Sequence, residues 1–141
     1  MDASVLRGMA RWPEVPAVFG WLALDRRGNW LLKEPGSARF GRIGNGALRE
    51  FIARNYAADD RGRWYFQNGP QRVYVELEAA PYVWRIDARD FALTSHSGLP
   101  AKLHSVWLDD HGRLFLATDL GFGLVHTQDM HEAARAVEAG R

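Results

Sequence analysis

The chain of 141 residues has the length of one domain, because domains cluster at about 100 to 150 residues. Its 47% hydrophobic and 25% charged residues are typical of a globular protein, which excludes intrinsic disorder and fibrous repeats. The charged residues sum to a net charge of +1 and form no block of like charges, so they point to no nucleic-acid or membrane partner. The lack of cysteine excludes disulfides and thiolate chemistry. We therefore expect a single domain over residues 1–141.

The start of the chain and its apolar segments bear on where the protein acts. The first four residues have no basic region before an apolar block, so they do not match a secretory signal. No apolar run approaches the roughly 20 residues that a membrane-spanning helix needs, because charged residues interrupt each one. We expect a cytoplasmic protein without a membrane partner.

The first structural feature along the chain is a pattern that occurs three times. Residues 25–32, 59–66 and 109–116 each read Asp-x-x-Gly, then a polar residue and three apolar ones. Asp at the first position accepts from the backbone two residues on, and Gly at the fourth adopts a positive φ, which predicts a turn leading into a strand. The first and third copies also follow apolar segments and predict complete hairpins, whereas the second follows a helix directly.

A central helix is predicted over about residues 46–58, with Asn45 as its N-cap and apolar residues on one face. Two alternating strands follow at 72–78 and 82–87, joined around Ala80 and Pro81. Residues 68–70 link the strand after Gly62 to the first of them, and we expect a tight antiparallel meander here. Further strands are expected at 91–95, 103–108, 113–118 and 121–125. Thr127 is expected to cap a C-terminal helix of about ten residues that frays past Gly140.

These elements predict the α+β class. We expect a mainly antiparallel, strongly curved sheet of about eight strands built from hairpins, with one packed central helix and a C-terminal helix.

Several segments carry a resemblance. They are residues 43–45 (Ile-Gly-Asn), residues 60–75 (Asp-Arg-Gly-Arg-Trp-Tyr-Phe-Gln-Asn-Gly-Pro-Gln-Arg-Val-Tyr-Val) and residues 107–110 (Trp-Leu-Asp-Asp). With these segments the chain resembles a family of small uncharacterised proteobacterial proteins, a domain of unknown function, over most of its length. The resemblance implies a bacterial single-domain protein and no particular chemistry.

The first candidate site is the glycine-rich segment before the central helix. Free backbone amides at a helix N-terminus, with two arginines close by, suit a phosphate or carboxylate. The candidate ligand-binding residues are Arg39, Arg42, Gly44, Asn45 and Gly46. The spacing matches neither a Walker nor a Rossmann motif and no strand clearly precedes it, so a flexible loop with an Asn cap is the competing interpretation.

The second candidate site is the turn that contains Asn68, Gly69 and Pro70. Amides and a guanidinium in one turn hydrogen-bond sugars, peptides or carboxylates with fixed geometry. The candidate residues are Gln67, Asn68, Gln71 and Arg72. Turn chemistry alone also accounts for this composition.

No catalytic constellation emerges from the other polar residues. The five histidines lack metal-ligand spacing, Ser95-His96-Ser97 lacks the nucleophile elbow of a hydrolase, and the paired aspartates lie in turns. The six tryptophans are explained by a core or a dimer interface more readily than by a stacking platform. We expect no catalytic residues, no metal and no cofactor.

Three functional hypotheses follow. The first is a non-enzymatic binding or accessory module that contacts a protein partner or a second copy, a homodimer being one form. The second is an enzyme or sensor that binds a small anionic ligand at the glycine-rich loop. The third, single-stranded nucleic-acid binding, is disfavoured by the near-zero net charge.

Overall fold

The computed structural model describes residues 1–138, apart from the side chain of Val137. The chain divides into two compact units. The first contains residues 1–24 and 29–77, and the second contains residues 25–28 and those from 78 onward. The expectation of a single domain over 1–141 stays a prediction.

The first unit contains a mixed six-stranded sheet with the strand order β3-β2-β1-β6-β5-β4. Its elements are α1 (Ala3–Arg11), β1 (Val18–Leu24), β2 (Trp30–Lys33), β3 (Phe40–Arg42), α2 (Gly46–Arg54), β4 (Tyr56–Ala58), β5 (Trp64–Asn68) and β6 (Gln71–Leu77). All pairs are antiparallel except β1 with β6, where Leu22 lies beside Val75.

The core of this unit lies on one face of the sheet, against α2. Strand alternation puts Leu22, Leu24 and Val73 on this face, and Ile52 of α2 packs with them. The buried cluster consists of Leu22, Leu24, Trp30, Ile43, Ile52, Phe66, Val73 and Val75. The opposite face carries polar and aromatic side chains, among them Gln67, Arg72 and Tyr74, with Gln67 paired to Arg72 across β5 and β6.

The second unit contains another mixed six-stranded sheet, in the order β10-β11-β12-β7-β8-β9. Its elements are β7 (Tyr82–Ile86), β8 (Leu93–Ser95), β9 (Pro100–Ala101), β10 (Leu103–Leu108), β11 (Leu114–Thr118), β12 (Phe122–Val125), a 3₁₀ turn (Thr127–Asp129) and α3 (Met130–Glu138). Only Lys102 separates β9 from β10, although these strands are the two edges of the sheet. The two edges must therefore approach each other at this corner, so the sheet curls strongly.

The centre of the second unit is Trp84, which is completely buried. Its indole N–H donates to the carbonyl of Leu116 at 3.0 Å, and its ring stacks on Tyr82 with the centroids 5.2 Å apart. Gly123 of β12 lies directly against the Trp84 ring, where a side chain would clash.

No helix within residues 1–138 is long and apolar enough to cross a membrane.

All three Asp-x-x-Gly turns are confirmed. Gly28, Gly62 and Gly112 have φ values of 83°, 78° and 74°. In each copy the Asp side chain accepts from the amide two residues on, at 2.9 to 3.0 Å. In the second and third copies the arginine after the glycine also bonds the Asp carboxylate, Arg63 to Asp59 at 2.8 Å and Arg113 to Asp109 at 2.6 Å.

The α+β class is confirmed, but the expectation of one mainly antiparallel sheet of about eight strands is wrong. Twelve strands form two mixed sheets among residues 1–138, and each sheet contains one parallel pair. The predicted meander is right for β5 and β6, which pair antiparallel, but wrong for β7, which belongs to the other sheet. Neighbouring strands in sequence need not pair, and hydrophobic alternation does not record which strand is the partner.

The predicted helix over 46–58 is too long. Helix α2 ends at Arg54, since Asn55 turns away with φ −118° and Tyr56 begins β4. The second Asp-x-x-Gly turn therefore joins a complete hairpin, β4 to β5. Helix α1 was not predicted, and a strand, β3, does precede the glycine-rich loop.

The C-terminal helix is confirmed as α3, but Thr127 does not cap it: Thr127 begins the 3₁₀ turn before α3, and His126 caps that turn. The imidazole Nδ1 of His126 accepts from the Gln128 amide at 3.0 Å. The predicted fraying past Gly140 lies outside the described residues.

Candidate functional site

The glycine-rich candidate segment is an exposed connection from β3 to α2. Arg39 and Arg42 are exposed, as are Gly44 and Asn45, and Gly46 is the first residue of α2. Asn45 caps the helix as predicted, because its side chain accepts from the Leu48 amide at 3.2 Å. One amide at this N-terminus is thus already satisfied, and the anion site here stays a prediction.

The second candidate turn is divided between the two faces of the first sheet. Asn68 pairs with Gln71 and Gln67 pairs with Arg72, so alternation sends the first pair to one face and the second pair to the other. Asn68 and Gln71 border an apolar groove of about 430 Å³ between the sheet and α2. Gln67 and Arg72 lie on the opposite face with Tyr74. The structure therefore does not bring the four residues to one site.

The apolar groove also has Ile43 and Leu48 in its wall, which flank the glycine-rich loop. Both candidate segments therefore contribute to this groove, although through apolar and amide groups and not through Arg39 or Arg42. Trp21 and Leu32, which are 50% and 45% exposed, complete its rim.

The most exposed apolar segment is β10, the edge strand of the second sheet. Leu103, Val106, Trp107 and Leu108 are 43%, 49%, 59% and 71% exposed. β10 pairs with β11 on one side only, so its other edge presents backbone N–H and C=O groups to solvent. We call this strand with its four apolar side chains the β10 edge.

The β10 edge lacks the charged and proline residues with which proteins often protect an edge strand, although its pairing with β11 shifts register between Leu103 and Ser105. Residues 103–108 contain no charged residue and no proline, and β10 is six residues long. The indole N–H of Trp107 bonds the Ser105 hydroxyl at 2.9 Å, so the ring can be buried by a partner without leaving a polar group unsatisfied. A lysine stands just before the strand and two aspartates just after it, Lys102 and then Asp109 and Asp110.

The second unit also contains an ordered set of polar side chains. Arg85 Nε lies 2.6 Å from Asp129 Oδ2, which also accepts from the Ile86 amide at 3.1 Å. Burial acts to raise the pKa of Asp129, but the hydrogen bonds from Arg85 and Ile86 outweigh it and lower the pKa. Burial, assisted by the Arg85 charge, lowers the pKa of His126. These contacts hold the 3₁₀ turn against β7 and give the set a structural role.

His96 accepts a hydrogen bond from the Val83 amide at its Nδ1, at 3.2 Å. Burial lowers the pKa of His96 to about 4.

Among residues 1–138 no group of three or more His, Asp or Glu side chains is placed to hold a metal ion. The tryptophans differ in exposure, since Trp30 and Trp84 are buried, whereas Trp12, Trp21 and Trp107 are half exposed.

Sequence reasoning predicted β10 as a strand but did not identify it as a surface. The available signal was its composition, because apolar residues occupy both alternating positions near the end of a strand that has no charge. The contact between Tyr74 and Asp59 was also not predicted. Tyr74 was assigned to a strand and Asp59 to a turn, and the structure joins them by a 2.9 Å hydrogen bond.

Comparison with solved structures finds two similar folds. A DUF1285 family protein from Silicibacter pomeroyi DSS-3 is 14% identical, with a TM-score of 0.59 over 89% of this chain and 73% of that one. A DUF1285 family protein from Shewanella baltica OS155 is also 14% identical, with a TM-score of 0.55 over 81% of this chain and 90% of that one. These likenesses concern the fold alone.

No curated protein matches the chain. A family model, DUF2944, with the description "Protein of unknown function (DUF2946)", matches residues 1–141. The match spans the whole chain, and the protein therefore belongs to this family of proteins of unknown function.

Proposed function

We propose that the protein is a small binding module without catalytic activity that acts through protein–protein contacts at the β10 edge, and that the occupant of this edge is a second copy of the chain. The observation that carries the proposal is an uncharged edge strand whose four apolar side chains are 43% to 71% exposed. Exposed apolar surface beside open backbone groups is typical of strand-to-strand association.

The charges around β10 favour a second copy as the occupant. Two β10 strands that pair antiparallel about a two-fold axis place no like charges opposite each other within residues 103–108, because the strand has none. The same arrangement brings Lys102 of one copy to the end where Asp110 of the other copy lies, while Asp109 stays paired with Arg113 of its own chain. Opposite charges thus meet at both ends of the paired strands, which favours the antiparallel register.

The test is the oligomeric state, measured by sedimentation equilibrium on the wild type and on Leu108→Lys. Leu108 is 71% exposed, so lysine there disturbs no core contact but places a charge in the interface. Leu99→Lys is the matched control, because Leu99 is 45% exposed in the same unit and lies outside β10.

We expect the wild type and Leu99→Lys to have the mass of two chains, and Leu108→Lys to have the mass of one with an unchanged circular dichroism spectrum. A monomeric wild type contradicts the proposal. A Leu108→Lys variant that dimerises as tightly as the wild type does so too, because the dimer must then use another surface.

The proteobacterial origin implied by the sequence resemblance is part of the same proposal, and it is supported by the organisms of the two structural neighbours. The anionic ligand at Arg42 and Gly44 stays the alternative function.

A further inference from the structure

Gln67 is a buried amide with one unsatisfied atom. It lies on β5 with a relative exposure of 2%. Its Nε2 donates to the carbonyl of Gly69 at 3.0 Å, which fixes the orientation of the amide, since only the nitrogen can donate to a carbonyl. The other atom, Oε1, is buried and has no hydrogen-bond partner among residues 1–138. Such an acceptor favours a molecule that brings an N–H or O–H group.

Gln67 lies in the wall of a pocket of about 360 Å³ in the first unit. The volume is within the range of small-molecule sites. Arg72 and Tyr74 of β6 supply its other polar groups, and the remaining wall is apolar: Met9, Pro13, Val15, Ala17 and Pro70. We call this site the Gln67 pocket.

Arg72 supplies the positive charge of the Gln67 pocket. Its guanidinium carbon lies 3.9 Å from the centre of the Tyr65 ring, which holds the planar group in one orientation. A hydrogen bond to the Tyr74 hydroxyl raises the pKa of Arg72, so the group is always charged. No carboxylate among residues 1–138 lies within ion-pair distance of this guanidinium.

The neighbouring network gives Arg72 no direct carboxylate partner among the described residues. Tyr74 donates to Asp59 at 2.9 Å, and Asp59 is paired with Arg63 at 2.8 Å. Asp59 and Asp60 both act electrostatically on Arg63. Asp59 also acts on Arg72, so the network as a whole is not strongly charged. An anionic ligand would give Arg72 a direct partner, and a carboxylate matches the planar guanidinium.

We propose that the Gln67 pocket binds a small carboxylic acid that carries an N–H or O–H donor close to its carboxylate, such as an N-acyl amino acid or a 2-hydroxy acid. The carboxylate bonds Arg72, and the apolar part of the ligand lies against Met9 and Val15. Oε1 of Gln67 is closed to solvent without a ligand, so the donor bonds it when the side chains around it move apart to admit the ligand. This site is separate from the β10 edge and does not depend on the dimer.

The proposal is tested with three compounds by NMR titration and thermal unfolding of the full chain. N-acetyl-L-leucine carries both the carboxylate and the amide N–H. Its amide, N-acetyl-L-leucinamide, lacks the carboxylate, and 4-methylpentanoate lacks the donor. We expect the first compound to shift the side-chain signals of Gln67 and Arg72 at millimolar concentration and to raise the melting temperature. The other two compounds should bind about tenfold more weakly or worse.

Two variants and one control assign the binding to the pocket. Gln67→Met keeps the size of the side chain and removes the acceptor, together with the Nε2 bond to the Gly69 carbonyl. Arg72→Gln removes the charge from a half-buried position. Each should weaken N-acetyl-L-leucine about tenfold or more. Asn68→Ala is the matched control, because Asn68 lies in the same hairpin but on the other face of the sheet.

If Gln67→Met does not fold, Arg72→Gln still decides the question. The proposal is overturned if neither N-acetyl-L-leucine nor L-lactate binds at millimolar concentration, or if binding is as strong in Arg72→Gln as in the wild type. Equal affinity for N-acetyl-L-leucine and 4-methylpentanoate overturns the role of Gln67.

Discussion

Acidification is expected to destabilise the protein through His96. In the folded chain, burial lowers the pKa of His96 from the ordinary 6.5 to about 4, and the charge of Asp25 only partly opposes this. Protonation of Nδ1 would in addition break the hydrogen bond from the Val83 amide. The folded state therefore keeps this imidazole neutral at a pH at which the unfolded chain already takes up a proton.

The sign and size of the effect follow from these two pKa values. Between pH 4 and 6.5 the unfolded state binds more protons, so the His96 contribution is complete above the unfolded pKa and is lost as the pH falls. The slope is at most about 1.4 kcal/mol per pH unit for one group. At about pH 5 the unfolded state is favoured by about 2 kcal/mol relative to pH 8. His126, whose pKa is also lowered by burial, adds a loss of the same sign.

The measurement is urea unfolding at about pH 8, 6.5 and 5, with the wild type and His96→Asn compared. Asparagine keeps an acceptor for the Val83 amide but does not titrate, so the variant isolates the contribution of His96. We expect the wild type to lose about 2 kcal/mol more than the variant between pH 8 and pH 5. Ser97→Ala, next to His96 in the same turn, should retain the wild-type pH dependence. Equal losses in the wild type and His96→Asn would refute the burial argument.

Three further substitutions test the packing and the turns by urea unfolding. Gly123→Ala should cost about 3 kcal/mol, because the new Cβ would clash with the Trp84 indole, at 2.6 Å from its Cε2, and lie 2.7 Å from the Tyr82 carbonyl oxygen; wild-type stability would show that this strand can shift. Gly112→Ala should lower the free energy of unfolding by about 1 kcal/mol, because the φ of 74° is strained for alanine although a Cβ would meet no other atom. Gly44→Ala is the control and should change little, because a Cβ there also meets no other atom and the backbone is not in the positive-φ region. Asn55→Ala should cost about 2 kcal/mol, because a fully buried side chain loses its bonds to the Asp2 amide and the Phe51 carbonyl; a loss near zero would mean that water replaces both.

The features that the sequence predicted correctly are those set by local chemistry. Each Asp-x-x-Gly turn is determined within four residues by the Asp side chain and the positive φ of the glycine. The Asn45 cap is determined within three residues. Such interactions need no knowledge of the partner strand, so one sequence is enough to find them.

The features that the sequence did not predict depend on distant residues. Tyr56 continues the helical pattern of α2, but it pairs with Phe66 because Asn55 ends the helix with bonds to Phe51 and Asp2. Helix α1 contains Gly8, which weakens the local helix signal. A Cβ at this position would lie 3.3 Å from Pro70, so a close tertiary contact favours glycine here. Tertiary contacts thus decide both elements.

The candidate sites show the same division. The sequence predicted a candidate site at Gln67 to Arg72, because amides and a guanidinium cluster there. It could not predict that strand alternation separates Gln67 and Arg72 from Asn68 and Gln71, since that depends on the register between β5 and β6. A shift of one residue between β5 and β6 would instead place Gln67 on the same face as Gln71, and Asn68 on the same face as Arg72.

The two proposals make each other testable, because their residues belong to different units of the chain. Leu108 lies in the second unit and Gln67 in the first. If dimerisation and ligand binding are independent, Leu108→Lys binds N-acetyl-L-leucine with wild-type affinity, and Gln67→Met still forms a dimer. If the ligand changes the dimerisation constant, then dimerisation must change the affinity for the ligand by the same factor, because the coupling free energy is reciprocal. Titrating the ligand into the wild type and into Leu108→Lys therefore distinguishes two independent binding surfaces from one regulated module.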